Sequence, residues 1–284
     1  MLWHKIHTYN RLIVLAHSVF ALPFALWGYV LGSTEVGFSW EKLFWVLVAV
    51  VSARTSAMAF NRYVDRDWDA RNPRTQNREI PQGLVHPKEA LAISFLSALL
   101  FLIAAWMLSP LCAGLAPVAL IILLGYSYTK RFTALSHFVL GAALGLAPVG
   151  AYLAVRESFA LEPILIGLAV LFWVAGFDIL YALQDMAFDR EAGLHSIPAA
   201  LGEWPARLIA IGCHILATFL LAYAGLRLYS THPLYWIGWA LFSLFVLRQH
   251  WVARHIPAIN RAFFTYNGWA SLLLSSLAIT ASLT

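Results

Sequence analysis

Charge is scarce in this 284-residue chain: 12% of its residues are Asp, Glu, Lys or Arg, and 61% belong to the apolar and aromatic set AVILMFWYC. Soluble domains carry about 25% charged residues, so an ordinary water-soluble fold is excluded. Cysteine is scarcer still. Cys112 and Cys213 lie inside separate apolar runs, which excludes a disulfide framework and a thiolate metal centre. Both read as buried, inert thiols. No His or Cys stands at metal-ligand spacing, which argues against zinc and copper. Aspartate numbers six, and the six are not scattered: Asp65, Asp67 and Asp69 form one cluster, Asp178, Asp185 and Asp189 the other.

What the chain has in plenty is apolar length. Nine runs, at about 12–32, 43–60, 90–108, 111–128, 134–154, 161–183, 206–229, 233–252 and 262–283, approach the ~20 residues needed to cross a bilayer. They consume nearly the whole chain, leaving one transmembrane domain over residues 1–284. The fourth run holds Gly114 and Pro117 and is expected to be tilted or partly broken. The first is too long for a signal-peptide core and has no small-residue cleavage pattern, so it is expected to remain as a span.

Basic residues divide unevenly between the two sides. The N-terminus, the loops after even-numbered runs and the parts of the runs adjoining them hold 16 Lys and Arg, the other side only Lys42, Arg156 and Arg227. The positive-inside rule puts the N-terminus and those loops in the cytoplasm, and it accounts for the pI near 9.3 without any nucleic-acid partner.

Both aspartate clusters fall at the cytoplasmic ends of their runs. Asn61, Asp65 and Asp69 are spaced i, i+4, i+8, which on one continuous helix confines three oxygen ligands to an arc of about 80°. Arg54, two turns earlier, shares that face, and a cation inside an apolar run needs a partner. Asp67 points the other way and reads as a solvated residue or a partner of Arg66 or Arg71. In the second cluster Asp178, Asp185 and Asp189 return within about 40° of one another, with Tyr181 at the edge. Two facing stripes of carboxylate repel unless a cation lies between them. Oxygen-only ligands select a hard cation, and Mg²⁺ takes one or two carboxylates together with substrate phosphates. A diphosphate also needs cations from the protein, which Lys130 and Arg131 supply after the fourth run and Arg71, Arg74 and Arg78 in the loop after the first cluster.

These residues resemble the UbiA superfamily of intramembrane aromatic prenyltransferases. The motif N-x-x-x-D-x-x-x-D, with its R-T-x-x-R-x-x-P-x-G loop, stands as Asn61, Asp65, Asp69, Arg74, Thr75, Arg78, Pro81 and Gly83. The motif D-x-x-Y-A-x-x-D-x-x-x-D stands as Asp178, Tyr181, Ala182, Asp185 and Asp189, followed by Gly193, Ser196 and Ile197, and a Y-x-x-x-K-R element as Tyr126, Lys130 and Arg131. The resemblance implies an all-α, nine-helix, U-shaped bundle around a central cavity, in the bacterial inner membrane with its site on the cytoplasmic side. It implies Mg²⁺ on Asp65, Asp69, Asp185, Asp189 and Asn61, with Arg54, Arg78, Lys130 and Arg131 at the phosphates. Tyr126, Tyr181 and Asp178 then fall to the acceptor side. The implied reaction moves a polyprenyl chain from its diphosphate onto an aromatic acid such as 4-hydroxybenzoate.

Arg62 departs from the pattern, since many 4-hydroxybenzoate enzymes have Asp after the motif Asn. That form is similar to a bacterial subgroup linked to the futalosine route of menaquinone synthesis, so a futalosine-derived aromatic acid is the second acceptor considered. From another class, a cation-coupled secondary transporter would place its paired motifs near the bilayer midplane on interrupted helices. The single aspartate pattern of CDP-alcohol phosphotransferases is absent.

Overall fold

The computed structural model describes residues 8, 9, 11, 12 and 20–284, so residues 13–19 of the first apolar run lie outside the described residues. Long helices follow in order: α1 (Leu22–Val36), α2 (Trp40–Val64), α3 (Pro87–Leu108), α4 (Pro110–Thr129), α5 (Ser136–Arg156), α6 (Leu161–Ala182), α7 (Glu203–Leu228), α8 (Pro233–Val252) and α9 (Asn267–Leu283). No strand occurs among the described residues.

Each expected run overlaps a helix among the described residues, but six, α2 to α7, are long and apolar enough to cross a membrane. The others fall short for local reasons. The described parts of α1 and α9 have 15 and 17 residues, under the ~20 that a span requires, and α8 closes on the polar stretch Arg248, Gln249, His250. With six such helices the chain is an integral membrane protein.

Caps set the boundaries. The Ser39 hydroxyl accepts the Lys42 N–H at the start of α2, and His86 with Glu89 forms a reciprocal capping box on α3. Ser109 ends α3 and caps α4 through the Cys112 N–H at 3.1 Å, with Pro110 in the first turn where no N–H is missed. Of the two forms expected for the fourth run, the partly broken one does not occur: α4 runs unbroken through Pro117. The end of α2 lies four residues beyond its apolar run, which brings Asn61 and Arg62 inside the helix.

Two kinds of interior result. Between α1, α6, α7, α8 and α9 lies a packed aromatic core in which Phe24, Trp27, Trp173, Tyr235 and Phe242 are fully buried. On the other side, α2 to α6 enclose a cavity of about 640 Å³. Helix α6 belongs to both, held to α5 by close backbone approach: a Cβ on Gly141 would lie 2.2 Å from the Leu171 carbonyl oxygen. Small residues of this kind let helices associate inside a bilayer, where apolar burial gives no driving force.

Candidate active site

Both aspartate motifs sit where a long helix stops. The expected single stripe through Asn61, Asp65 and Asp69 is interrupted: α2 ends at Val64, Asp65 takes φ −91° and ψ 2°, and a six-residue helix, Arg66–Arg71, follows. The second motif repeats the device. After α6 the chain tightens into the 3-10 turn Leu183–Asp185, Asp185 takes φ −101° and ψ 0°, and the six-residue helix Met186–Glu191 follows. Asp69 and Asp189 each stand fourth in their short helix. The break keeps all of these oxygens together while turning Asp67 outward, where it is 73% exposed and 3.6 Å from Arg66.

The two devices face one cavity of about 140 Å³. Asn61, Asp65, Asp69, Asp185 and Asp189 line it with Arg74, Arg78, Lys130 and Arg131. Arg78 Nη1 donates to both oxygens of Asp69 at 2.7 and 2.8 Å. Arg74 donates to both oxygens of Asp185, and Asn72 adds a third bond to Asp185 at 2.9 Å. Ser196 Oγ donates to Asp189 at 2.8 Å, with Lys130 Nζ 3.9 Å from the same carboxylate. Burial works to lower the Lys130 pKa, but Asp189, Asp178, Asp185 and Asp65 together outweigh it and the net shift is upward. Lys130 is a firm ammonium facing the acids.

Asp65 differs from its neighbours. It accepts the Asn61 amide at 2.8 Å and makes no ion pair among the described residues. Burial first, then repulsion from Asp69, pushes its carboxyl up to about 6. A half-buried acid with no ion pair in that position favours an added cation. Among the described residues no three Asp, Glu, His or Cys groups converge closely enough to hold a metal, because the arginines occupy Asp69 and Asp185. The donor set itself is all oxygen, from Asp65, Asp69, Asp185, Asp189 and Asn61. It suits a hard divalent cation that shares its coordination with phosphate.

The large apolar cavity adjoins this chamber. Asn61, Arg74, Thr75, Arg78, Tyr126, Asp178 and Tyr181 line both and form the junction. Arg74 Nη1 donates to the Tyr181 hydroxyl at 2.8 Å, fixing one side of it. Two of the residues expected at the phosphates are placed differently from the rest. Arg54 is absent from the acidic chamber's lining; it lines the apolar cavity with Arg62, and the buried Nε of each lacks a hydrogen-bond partner among the described residues. Arg131 reaches the acidic chamber but donates to the Val64 carbonyl at 3.0 Å, closing the C-terminus of α2, whose last carbonyls have no partner within the helix. Cys112, expected to be inertly buried, is half-buried and lines the apolar cavity, because α4 presents that face inward.

Of the partners that hold these carboxylates, Asn72, Ser196 and His137 had no role assigned from sequence, and Arg74 had been expected only as a cation for the diphosphate. Asn72 and Arg74 hold Asp185, Ser196 holds Asp189, and His137, fully buried, lies with Nδ1 2.6 Å from Asp178 Oδ2. His137 carried a readable signal, as an ionisable residue near the start of an apolar run. Asn72, a polar residue before a proline, carried no comparable signal.

Comparison with known proteins gives concordant results. A family model described as the UbiA prenyltransferase family matches residues 21–273. The 4-hydroxybenzoate octaprenyltransferase of Escherichia fergusonii is 31% identical over 241 residues, covering 83% of this chain and 83% of that protein. The apo structure of a UbiA homolog from Aeropyrum pernix K1 superposes with a TM-score of 0.84 at 31% identity, over 94% of this chain and 98% of the other. A UbiA homolog from Archaeoglobus fulgidus bound to GPP and Mg²⁺ shares the fold, with a TM-score of 0.76 at 21% identity over 98% of this chain and all of the other.

Proposed function

The chain belongs to the UbiA prenyltransferase family, and on that premise we propose that it transfers a polyprenyl group from polyprenyl diphosphate to an aromatic acid, 4-hydroxybenzoate or a close analogue, releasing diphosphate. The observation that carries this reading is the pair of adjoining chambers, one lined by five aspartates and several cations, the other apolar, with shared residues at the join.

Each chamber suits one part of the donor. The apolar cavity takes the isoprenoid tail, and the acidic chamber takes the diphosphate. Asp65, Asp69, Asp185, Asp189 and Asn61 are the proposed metal ligands, for Mg²⁺ as in the Archaeoglobus homolog. When bound, Mg²⁺ supplies charge stabilisation for the departing diphosphate. Lys130 and Arg78 line the acidic chamber, where they would meet the leaving oxygens, and Arg74 holds Asp185 in the same chamber. The allylic C–O bond breaks at the junction, and the acceptor ring attacks from the apolar side, where water is kept from the cation. Tyr126, Tyr181 and Asp178 line that junction.

Arg54 and Arg62 supply what the acceptor needs. A buried guanidinium with an unpaired N–H in an apolar cavity is costly and calls for an anion. The carboxylate of an aromatic acid fits, with its ring directed to the junction. The helix-end position of the acidic chamber and the arginine-rich loops around it agree with a cytoplasmic-face site in a bacterial inner membrane, not with a midplane transport site.

The test is incubation of membranes containing the protein with Mg²⁺, labelled polyprenyl diphosphate and either 4-hydroxybenzoate or a futalosine-derived aromatic acid. Prenylated 4-hydroxybenzoate is the expected product. Prenylation of the other acid alone reassigns the acceptor, and no product with either refutes the function.

A further inference from the structure

Among the described residues Asp178 is the one carboxylate at the junction of the two chambers, and a residue outside both aspartate motifs holds it. We propose that His137 is a positioning residue that fixes Asp178 as the proton acceptor for the prenylated ring. The inference rests on the reading of aromatic prenyl transfer given above.

The hydrogen bonds assign the imidazole's orientation. His137 is fully buried at the start of α5. The backbone N–H of Ile197 points at Nε2 at 3.3 Å. A backbone N–H only donates, so Nε2 is the acceptor and Nδ1 is the ring N–H. That N–H meets Asp178 Oδ2 at 2.6 Å, a short bond of the charge-assisted kind. His137 thereby takes one Asp178 oxygen, while the carboxylate lines both chambers with the other available to a substrate.

The arrangement also joins the two halves of the chemistry. Ser196, next to Ile197, donates to Asp189 at 2.8 Å, so two adjacent residues fasten a proposed metal ligand and the Asp178 partner together. Close contact of Gly141 with α6 keeps the start of α5 against the helix that carries Asp178.

The bond accounting gives Asp178 its task. The allylic C–O pair leaves with the diphosphate, and a π pair of the ring forms the new C–C bond. The attacked carbon then carries both the prenyl group and a proton. Loss of that proton returns the C–H pair to the ring and restores aromaticity, and the proton passes to the Asp178 carboxylate. An aspartate free to rotate away would leave the cationic ring without an acceptor in an apolar cavity.

The alternative is that His137 only fills space and caps the short helix Ile197–Leu201. Two substitutions separate the roles, with kcat and KM measured for each substrate and binding of a non-reactive prenyl thiolodiphosphate followed in parallel. His137→Phe keeps volume and removes both bonds; it should lower kcat about a hundredfold, in the range for a mispositioned acid–base group, with KM for prenyl diphosphate and thiolodiphosphate binding within about twofold of the parent. His137→Gln offers an amide N–H to Asp178 and a carbonyl to Ile197, and should return kcat to within about fivefold of the parent. A His137→Phe enzyme within about threefold of the parent, or a Gln variant no better than Phe, overturns the proposal. Should the Phe variant fail to accumulate, Asp178→Asn serves in its place: the same kcat loss with unchanged thiolodiphosphate binding is expected, and unchanged kcat overturns it. Failure of the parent itself to prenylate any aromatic acid would instead refute the function above.

Discussion

Arg74 grips Asp185 with Nε at 2.7 Å and Nη2 at 2.5 Å, across 111 residues of sequence, while its remaining Nη1 holds the Tyr181 hydroxyl. The loop of the first aspartate motif is thus clamped to the second motif. Lysine cannot reproduce a planar three-way contact. Arg74→Lys should lower kcat/KM by about 10²-fold, comparable to removing one preorganised electrostatic group. Arg74→Ala should also destabilise the protein by about 2 kcal/mol, less than the ~3–5 kcal/mol of a fully buried pair because Arg74 is 25% exposed. Steady-state kinetics and detergent-solubilised thermal unfolding measure the two effects.

Outward and inward aspartates should separate cleanly. Asp67 is exposed and Asp69, two residues away, is buried against Arg78. Asp67→Asn is expected to keep transfer within about twofold, as surface substitutions away from such features do, whereas Asp69→Asn should lower it by at least about 10²-fold. Equal losses would show that the helix break at Asp65 does not sort the side chains in this way.

How much of this was legible beforehand depended on the kind of signal. The spans were readable because a bilayer demands apolar length, and the aspartate clusters because six acids in two places have few explanations in a charge-poor chain. The break at Asp65 was not readable, since i, i+4, i+8 spacing is the same in a continuous helix and in one interrupted for a single residue. Arg54 was placed with the phosphates because helical phase gives its angular position but not its depth; seven residues from Asn61 is about 10 Å along the axis, which carries it out of the acidic chamber. The Arg74–Asp185 clamp and the His137–Asp178 pair join distant stretches and needed the assembled bundle.

The raised Asp65 carboxyl gives a pH signature. With a value near 6 in the folded protein against about 3.9 unfolded, Asp65 retains its proton between those limits. Its contribution to stability is complete below about pH 4 and is lost as pH rises through about 6. Metal binding needs the ionised form, so Mg²⁺ affinity should weaken about tenfold per pH unit below 6 and level off above 7. Calorimetric titration in two buffers of different ionisation heat should show proton release on binding at pH 6, absent in Asp65→Asn.

Arg54 should act on the acceptor alone. Arg54→Leu removes the cation from the apolar cavity and is expected to raise KM for the aromatic acid at least about tenfold, the loss of one charge-assisted contact. KM for prenyl diphosphate should stay within about twofold. The reverse pattern would return Arg54 to the phosphates.

Bound Mn²⁺, followed by electron paramagnetic resonance with a non-reactive prenyl thiolodiphosphate present, tests most directly whether both aspartate motifs hold one metal–diphosphate centre. Asp65→Asn and Asp185→Asn, one from each motif, should each weaken Mn²⁺ binding at least about tenfold and alter its spectrum. Normal binding in either variant would contradict a shared centre.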